Sequence, residues 1–158
     1  MKVLGIDPGT AACGYGIVQQ NEGRLRATVY GCWTTPAGQR QDLRLKTIFD
    51  GVAGLIAEHA PAAVALEESY VGADARIALS VGQARGAVLV ACAAAGVVAI
   101  EYTPAHVKQA VCGYGRADKS QIQRMVKLVL GVEVANNHAS DALAVAICHA
   151  TAPRMAAA

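Results

Sequence analysis

Four residues at three separated places in this chain pair metal-binding side chains with positions where such side chains are costly. Val3-Leu4-Gly5-Ile6 climbs into Asp7, and Pro8-Gly9 turns the chain at once. Val64-Ala65-Leu66 ends the same way, in Glu67 followed by Glu68. His138 and Asp141 are three residues apart, on one face of a helix, and lead into the apolar run Ala142 to Ile147. A carboxylate at the edge of an apolar element loses hydration, and a bound cation is one way to compensate. Each site also has a plainer reading. Asp7 can close an Asx-turn over Pro8-Gly9, and Asp141 can favour the positive end of a helix dipole, with Asn137 or His138 as the cap. Taken together, three carboxylates and an imidazole suit two-metal phosphodiester chemistry. Mg²⁺ prefers oxygen ligands and keeps several waters. Two ions about 3.5–4 Å apart can activate a water and stabilise the leaving oxygen, which asks little covalent help of the protein.

For these groups to meet, the elements carrying them must be neighbours. Lys2 to Asp7, Gly14 to Gln19 and Arg24 to Thr35 read as three strands joined by tight turns, an antiparallel meander. Gln41 to His59 has Leu45, Ile48, Phe49, Val52, Leu55 and Ile56 on one helical stripe, and Pro61 stops it. Ala62 to Glu67 is then a short buried strand, Asp74 to Ala95 an Ala-rich helix, and Val97 to Tyr102 a further strand. Thr103-Pro104 starts a helix with Pro at its first position. Asp118-Lys119-Ser120-Gln121 has the form of a capping box, and His138 to Thr151 is a last helix. The expected fold is α/β: a mixed five-stranded sheet, antiparallel in its first half, flanked by helices. If the first and fourth strands pair, Asp7 and Glu67 lie side by side. Strand alternation sends Glu67 and Glu68 to opposite faces and does not choose between them.

Composition narrows the class. The 158 residues suffice for one domain, expected over 1–151, with 152–158 as a disordered tail. Hydrophobic residues reach 54% and charged ones 16%, which argues for a packed globule over a disordered chain. Cys13, Cys32, Cys92, Cys112 and Cys148 are odd in number and contain no Cys-x-x-Cys pair, so thiols in a reducing cytoplasm are expected. The longest uncharged apolar run, Gly86 to Ile100, is short for a bilayer span, so no membrane association is expected. The net charge of +2 says little, but its distribution is uneven. Lys108, Arg116, Lys119, Arg124 and Lys127 face a single acid, Asp118, between Pro104 and Leu130, while Glu67, Glu68, Asp74 and Glu101 form an acidic centre. Such segregation suits a polyanion held over metal ions, and a solvated helix face is the plainer alternative.

Gly5-Ile6-Asp7-Pro8-Gly9, Ala65-Leu66-Glu67, Gly82-Gln83-Ala84-Arg85-Gly86, Val107-Lys108-Gln109 and Asp141-Ala142-Leu143-Ala144 occur in this order. Over residues 1 to 150 the chain resembles the RuvC family of crossover junction endodeoxyribonucleases, which have an RNase H-like fold. The resemblance implies a homodimer that cuts two opposed strands of a four-way DNA junction, leaving 5′-phosphate and 3′-hydroxyl ends. It implies Mg²⁺, two ions per site, with Mn²⁺ able to substitute, and RuvA and RuvB as partners. By position the acidic tetrad falls on Asp7, Glu67, His138 and Asp141. His138 is a departure, because some members carry aspartate there; imidazole can ligate a metal, transfer a proton or orient a water. The resemblance also selects Glu67 over Glu68. It gives Tyr70 a stacking role at the junction centre, puts Lys108 and Lys119 near the scissile phosphate, and makes Arg76 and Arg116 phosphate contacts.

Two other functions compete. Asp7-Pro8-Gly9-Thr10 also suits the phosphate loop of an actin-like ATPase, although 158 residues lack the second lobe. A junction-binding protein without nuclease activity is the other, with His138 as the cause.

Overall fold

The computed structural model describes residues 1–68 and 74–152. Tyr70 and the tail beyond Ala152 lie outside them. The elements are β1 (Lys2–Asp7), β2 (Ala12–Asn21), β3 (Arg24–Thr34), α1 (Gln41–His59), β4 (Ala63–Glu67), α2 (Ala75–Ala94), β5 (Ala99–Tyr102), α3 (Pro104–Cys112), α4 (Lys119–Leu130) and α5 (Asn137–Thr151). The strands form one sheet in the order β3-β2-β1-β4-β5. β1, β2 and β3 are antiparallel, whereas β4 and β5 run parallel to β1. This is the mixed five-stranded sheet expected from the sequence. Glu22 and Gly23 turn the β2–β3 hairpin with positive φ at both positions, the conformation that matches the twist of the flanking strands.

Strand alternation sorts the core into two layers. Leu4, Ile6, Val64 and Leu66 face Ile48, Val52 and Ile56 of α1 and Ala84 and Val88 of α2. Val3 and Ala65 face Leu143 and Ile147 of α5, Val107 and Val111 of α3, and Val126 and Leu130 of α4. Asp7 therefore continues the Val3-Gly5 row and Glu67 the Ala65 row, both towards α5. Glu68 has the opposite parity and is exposed.

The helix most important to the site is almost wholly apolar. From Ala142 to Cys148 every residue of α5 is buried. It lies against β1 and β2 more closely than side chains would permit. A Cβ on Gly5 would fall 1.9 Å from the Ala142 carbonyl oxygen, and one on Gly14 would fall 2.0 Å from that of His138. Glycine is required at both positions for the backbones to approach.

Some boundaries differ from expectation. β5 begins at Ala99 rather than Val97, because Gly96 takes a positive φ and the Val97 amide still donates to the Cys92 carbonyl at the end of α2. The cap of α5 is Asn136, whose side chain accepts from the Ala139 amide, rather than Asn137 or His138. Thr103 caps α3, and Asp118 with Gln121 forms the expected capping box on α4. All five cysteines are free thiols, and burial pushes the Cys13 thiol up to about 12. By length and composition α2 could cross a membrane, with a mean hydropathy of 1.6 over its apolar stretch. Here Ala84, Val88, Ala91 and Cys92 pack it into the core, and Arg85 pairs with Glu101. That ion pair removes Glu101 from the acidic centre read from the sequence.

Candidate active site

β1 and β4 pair with Ile6 opposite Leu66, so the next residues, Asp7 and Glu67, emerge together from the sheet edge. Parallel strands in register send side chains at paired positions to the same face. α5 crosses that face, and its first two turns bring His138 and then Asp141 to the two carboxylates, so Asp141 is not the first-turn acid that the helix-dipole reading required. His138 Nδ1 lies 2.8 Å from Asp7 Oδ2. With the carboxylate ionised, this nitrogen is the donor and the Nε2 lone pair is left available. α4 contributes from the other side: the Lys119 ammonium donates to Asp141 Oδ2 at 2.9 Å. Asp7, Glu67, Asp141, Lys108 and Lys119 line a cleft of about 230 Å³, with Ile6 and Ile122 as its apolar floor.

The electrostatics are those of crowded acids. Burial raises the pKa of Asp7 above its usual value, Asp141 raises it further, and the bond from His138 opposes both. Burial also raises Glu67, and repulsion from Asp141 and Asp7 adds to it, with Lys108 and Lys119 opposing. The bond to Asp141 holds the Lys119 ammonium above its ordinary pKa. Three carboxylates in one partly desolvated cleft repel unless a positive charge joins them. Lys119 supplies part of that charge in the present arrangement, and the His138 ring contributes an N–H to Asp7. Among the described residues no three acidic, histidine or cysteine side chains close around one point as a ready metal cage. The donors are nonetheless of the right kind, hard oxygens and an imidazole, and Asp7 and Glu67 are raised by burial first and by neighbouring acids second, as suits carboxylates that a cation would complete.

Not every residue singled out in the sequence joins this cleft. Arg76, exposed in the first turn of α2, lines a neighbouring recess of about 400 Å³ with Pro8, Gly9, Thr10 and Ser80; Asp7 and His138 border it too. Arg116 is exposed on the α3–α4 loop and does not line the cleft. Tyr70 lies outside the described residues. Of the five basic residues between Pro104 and Leu130, only Lys108 and Lys119 reach the cleft; Lys127 pairs with Glu133. A larger cavity of about 900 Å³ lies elsewhere, beside Tyr102, His106 and His149. Its only acid is Glu22, in the β2–β3 turn, and none of Asp7, Glu67 and Asp141 borders it, so chemistry rather than volume marks the smaller cleft. Sequence reasoning missed Ile122 and the supporting glycines. The signal was present in Gly5, Gly14 and Gly16, which sit on adjacent strands and mark a close backbone approach.

The sequence and the fold both have known relatives. The family model for the crossover junction endodeoxyribonuclease RuvC matches residues 3–149. The RuvC of Moorella thermoacetica is 50% identical over 153 residues, covering 96% of this chain and 92% of that protein. The RuvC of Chloroflexus aurantiacus is 50% identical over 158 residues, covering 98% and 96%. The solved structure of Thermus thermophilus RuvC superposes with a TM-score of 0.87 at 36% identity, covering 95% of this chain and 93% of that one. The same protein in complex with a Holliday junction substrate superposes at 0.89 with 37% identity over the same shares. A match across nearly the whole chain, with half the residues identical, leaves one assignment: the chain belongs to the RuvC family of crossover junction endodeoxyribonucleases.

Proposed function

We propose that this protein resolves four-way DNA junctions by metal-dependent hydrolysis of phosphodiesters in two opposed strands, with Asp7, Glu67, His138 and Asp141 as the metal-holding set. The observation that carries this reading is the Ile6–Leu66 register, which brings Asp7 and Glu67 out side by side beneath α5. Lys108 and Lys119 border the same cleft and suit a phosphate there. The solved complex of the Thermus thermophilus relative with junction DNA supports the substrate.

Divalent ions, Mg²⁺ with Mn²⁺ able to substitute and two per site, would neutralise the clustered acids and activate water for attack on phosphorus. The protein's own groups do the rest. Asp7 orients the His138 ring through Nδ1 and leaves Nε2 free to ligate or to carry a proton. Lys119 is held on Asp141 and is free to turn to a phosphate oxygen once a cation takes its place. Arg76 and Arg116, both exposed, suit flanking phosphates, and Tyr70 is assigned to the junction centre by family resemblance.

A homodimer fits the substrate, because a two-fold pair of sites matches two equivalent phosphates. α2 supports it by exposing Ile77, Leu79 and Val90, each 60% or more accessible, on an apolar helix that buries only Ala84, Val88, Ala91 and Cys92. RuvA and RuvB as partners, and a cytoplasmic location, follow from the resemblance alone.

The deciding experiment incubates the protein with a synthetic four-way junction in Mg²⁺ or Mn²⁺, alongside Asp7→Asn. The expected result is paired nicks giving 5′-phosphate ends, with Asp7→Asn binding the junction and leaving it intact. Junction binding without cleavage in either metal would favour a binding module, and ATP hydrolysis without cleavage would favour the actin-like reading.

A further inference from the structure

Among the described residues only three polar side chains are buried, Thr10, Thr35 and Ser140, and two of these belong to one hydrogen-bonded chain. Arg44 Nε of α1 donates to Thr35 Oγ1 at 2.8 Å. Thr35 Oγ1, just past the end of β3, donates to the Thr10 carbonyl at 2.5 Å, and the Thr35 amide donates to the Ala11 carbonyl at 3.0 Å. The Thr10 hydroxyl shares a hydrogen bond with Ser80 Oγ of α2. The chain thus joins α1, the end of β3, the turn after Asp7, and α2.

Thr10 is three residues beyond Asp7, in a turn with no slack. A Cβ on Gly9 would fall 2.4 Å from the Ala12 carbonyl oxygen. Asp7, Pro8, Thr10, Ser80 and His138 all border one recess, so a shift of the turn moves the carboxylate that orients His138. Buried polar chains of this kind are costly when one partner is lost and stiff when complete. The charged guanidinium at one end strengthens the bond it makes. Neither Thr10 nor Ser80 borders the cleft of acids and lysines.

We propose that the Thr10 hydroxyl is a positioning group for catalysis: through Ser80 it locks the Asp7 turn to α2, and so sets the Asp7 carboxylate for cation binding. This rests on the metal-dependent reading of the cleft given above. Because α2 also carries the exposed apolar side assigned to the second protomer, the bond ties the catalytic carboxylate to the dimer helix.

The test compares Thr10→Val, which keeps the shape and removes the hydroxyl, with Thr10→Ser, which keeps the hydroxyl. Three quantities are read: single-turnover cleavage of a synthetic junction at saturating protein, junction affinity in Ca²⁺, and the Mn²⁺ concentration that half-completes the rise in melting temperature of the DNA-free protein. For Thr10→Val the expected result is cleavage slowed about tenfold, since small displacements of reacting groups cost rate steeply. Its half-effect Mn²⁺ concentration should rise severalfold while junction affinity stays unchanged. Thr10→Ser should restore both altered quantities. Ser80→Ala, on the far side of the bond, should reproduce the pattern and covers the case in which Thr10→Val does not fold. Wild-type cleavage and Mn²⁺ response in Thr10→Val, or a Thr10→Ser variant as impaired as Thr10→Val, would overturn the proposal. Failure of the wild-type protein itself to cut the junction would instead overturn the nuclease reading, while the Mn²⁺ comparison would still judge the positioning role.

Discussion

Asp7 Oδ2 and His138 Nδ1 stand 2.8 Å apart although 131 residues separate them in the chain. The contact exists because α5 lies directly on β1 and β2 where glycines leave room, bringing its first turn down onto the sheet edge. An imidazole thus occupies the fourth position of the proposed metal-holding set, and it is oriented by the carboxylate beside it. His138→Asp should retain junction cleavage and shift the preference from Mn²⁺ towards Mg²⁺, because a hard oxygen replaces a borderline nitrogen. Rates measured in each metal check this, and complete inactivity in both would show that the imidazole does what carboxylate cannot.

Lys119→Ala removes the ammonium that now neutralises Asp141. Cleavage should slow by about 10- to 100-fold, the scale of losing one hydrogen bond to a charged group. Junction binding should weaken only slightly, as expected for one phosphate contact among many. Single-turnover rates at several salt concentrations make the measurement, and an unchanged rate throughout would remove Lys119 from the site.

Glu67→Gln should stabilise the DNA-free, metal-free protein. The pKa of Glu67 is raised above its ordinary value of 4.5, so the folded state holds its proton to higher pH than the unfolded chain. Stability from this group is therefore full at acid pH and falls as pH rises through the carboxylate range and above it. Removing the charge should raise the melting temperature at pH 7, because the neutral amide avoids the burial and acid–acid repulsion that the carboxylate meets there. The gain should vanish near pH 3, where the wild-type carboxyl is protonated too. Thermal scans with EDTA at both pH values read this directly, and a lower melting temperature at pH 7 would contradict it.

Gly5→Ala tests the close approach of α5. The new methyl would overlap the Ala142 carbonyl oxygen, which is backbone and cannot turn aside. Overpacking of this kind costs about 1–3 kcal/mol, and lifting α5 would also carry Asp141 away from Glu67. Loss of thermal stability together with loss of cleavage is expected. Normal behaviour in both would mean that the helix can shift without consequence.

Much of this was legible before any fold was known. Hydrophobic period, turn residues and helix-capping signals together mark the five strands and five helices seen among the described residues, because a buried face repeats every two residues in a strand and every 3.6 in a helix, and turns and caps punctuate both. It was least dependable at element ends: β5 starts two residues late, and Asn136 rather than Asn137 or His138 caps α5. Those ends depend on single hydrogen bonds, a backbone one at Val97 and a side-chain one at Asn136, which leave no periodic trace. The acids were legible as well, since a carboxylate that closes an apolar run stands out wherever it falls.

The order of residues alone supplies the parts: strands ending in Asp7 and Glu67, a helix beginning near His138 and Asp141, and lysines on the helices before it. Tertiary structure decided which of them meet. Strand pairing set Asp7 beside Glu67, and the parity of that register, which no local pattern contains, turned Glu67 towards α5 and left Glu68 in solvent. Three-dimensional packing also brought Lys119 onto Asp141, tied Glu101 to Arg85, and kept Arg116 out of the cleft. The physical reason is the range of the forces. Periodicity records each element's burial against an average interior, whereas pairing and ion contacts depend on which neighbour the chain brings back from far along its length.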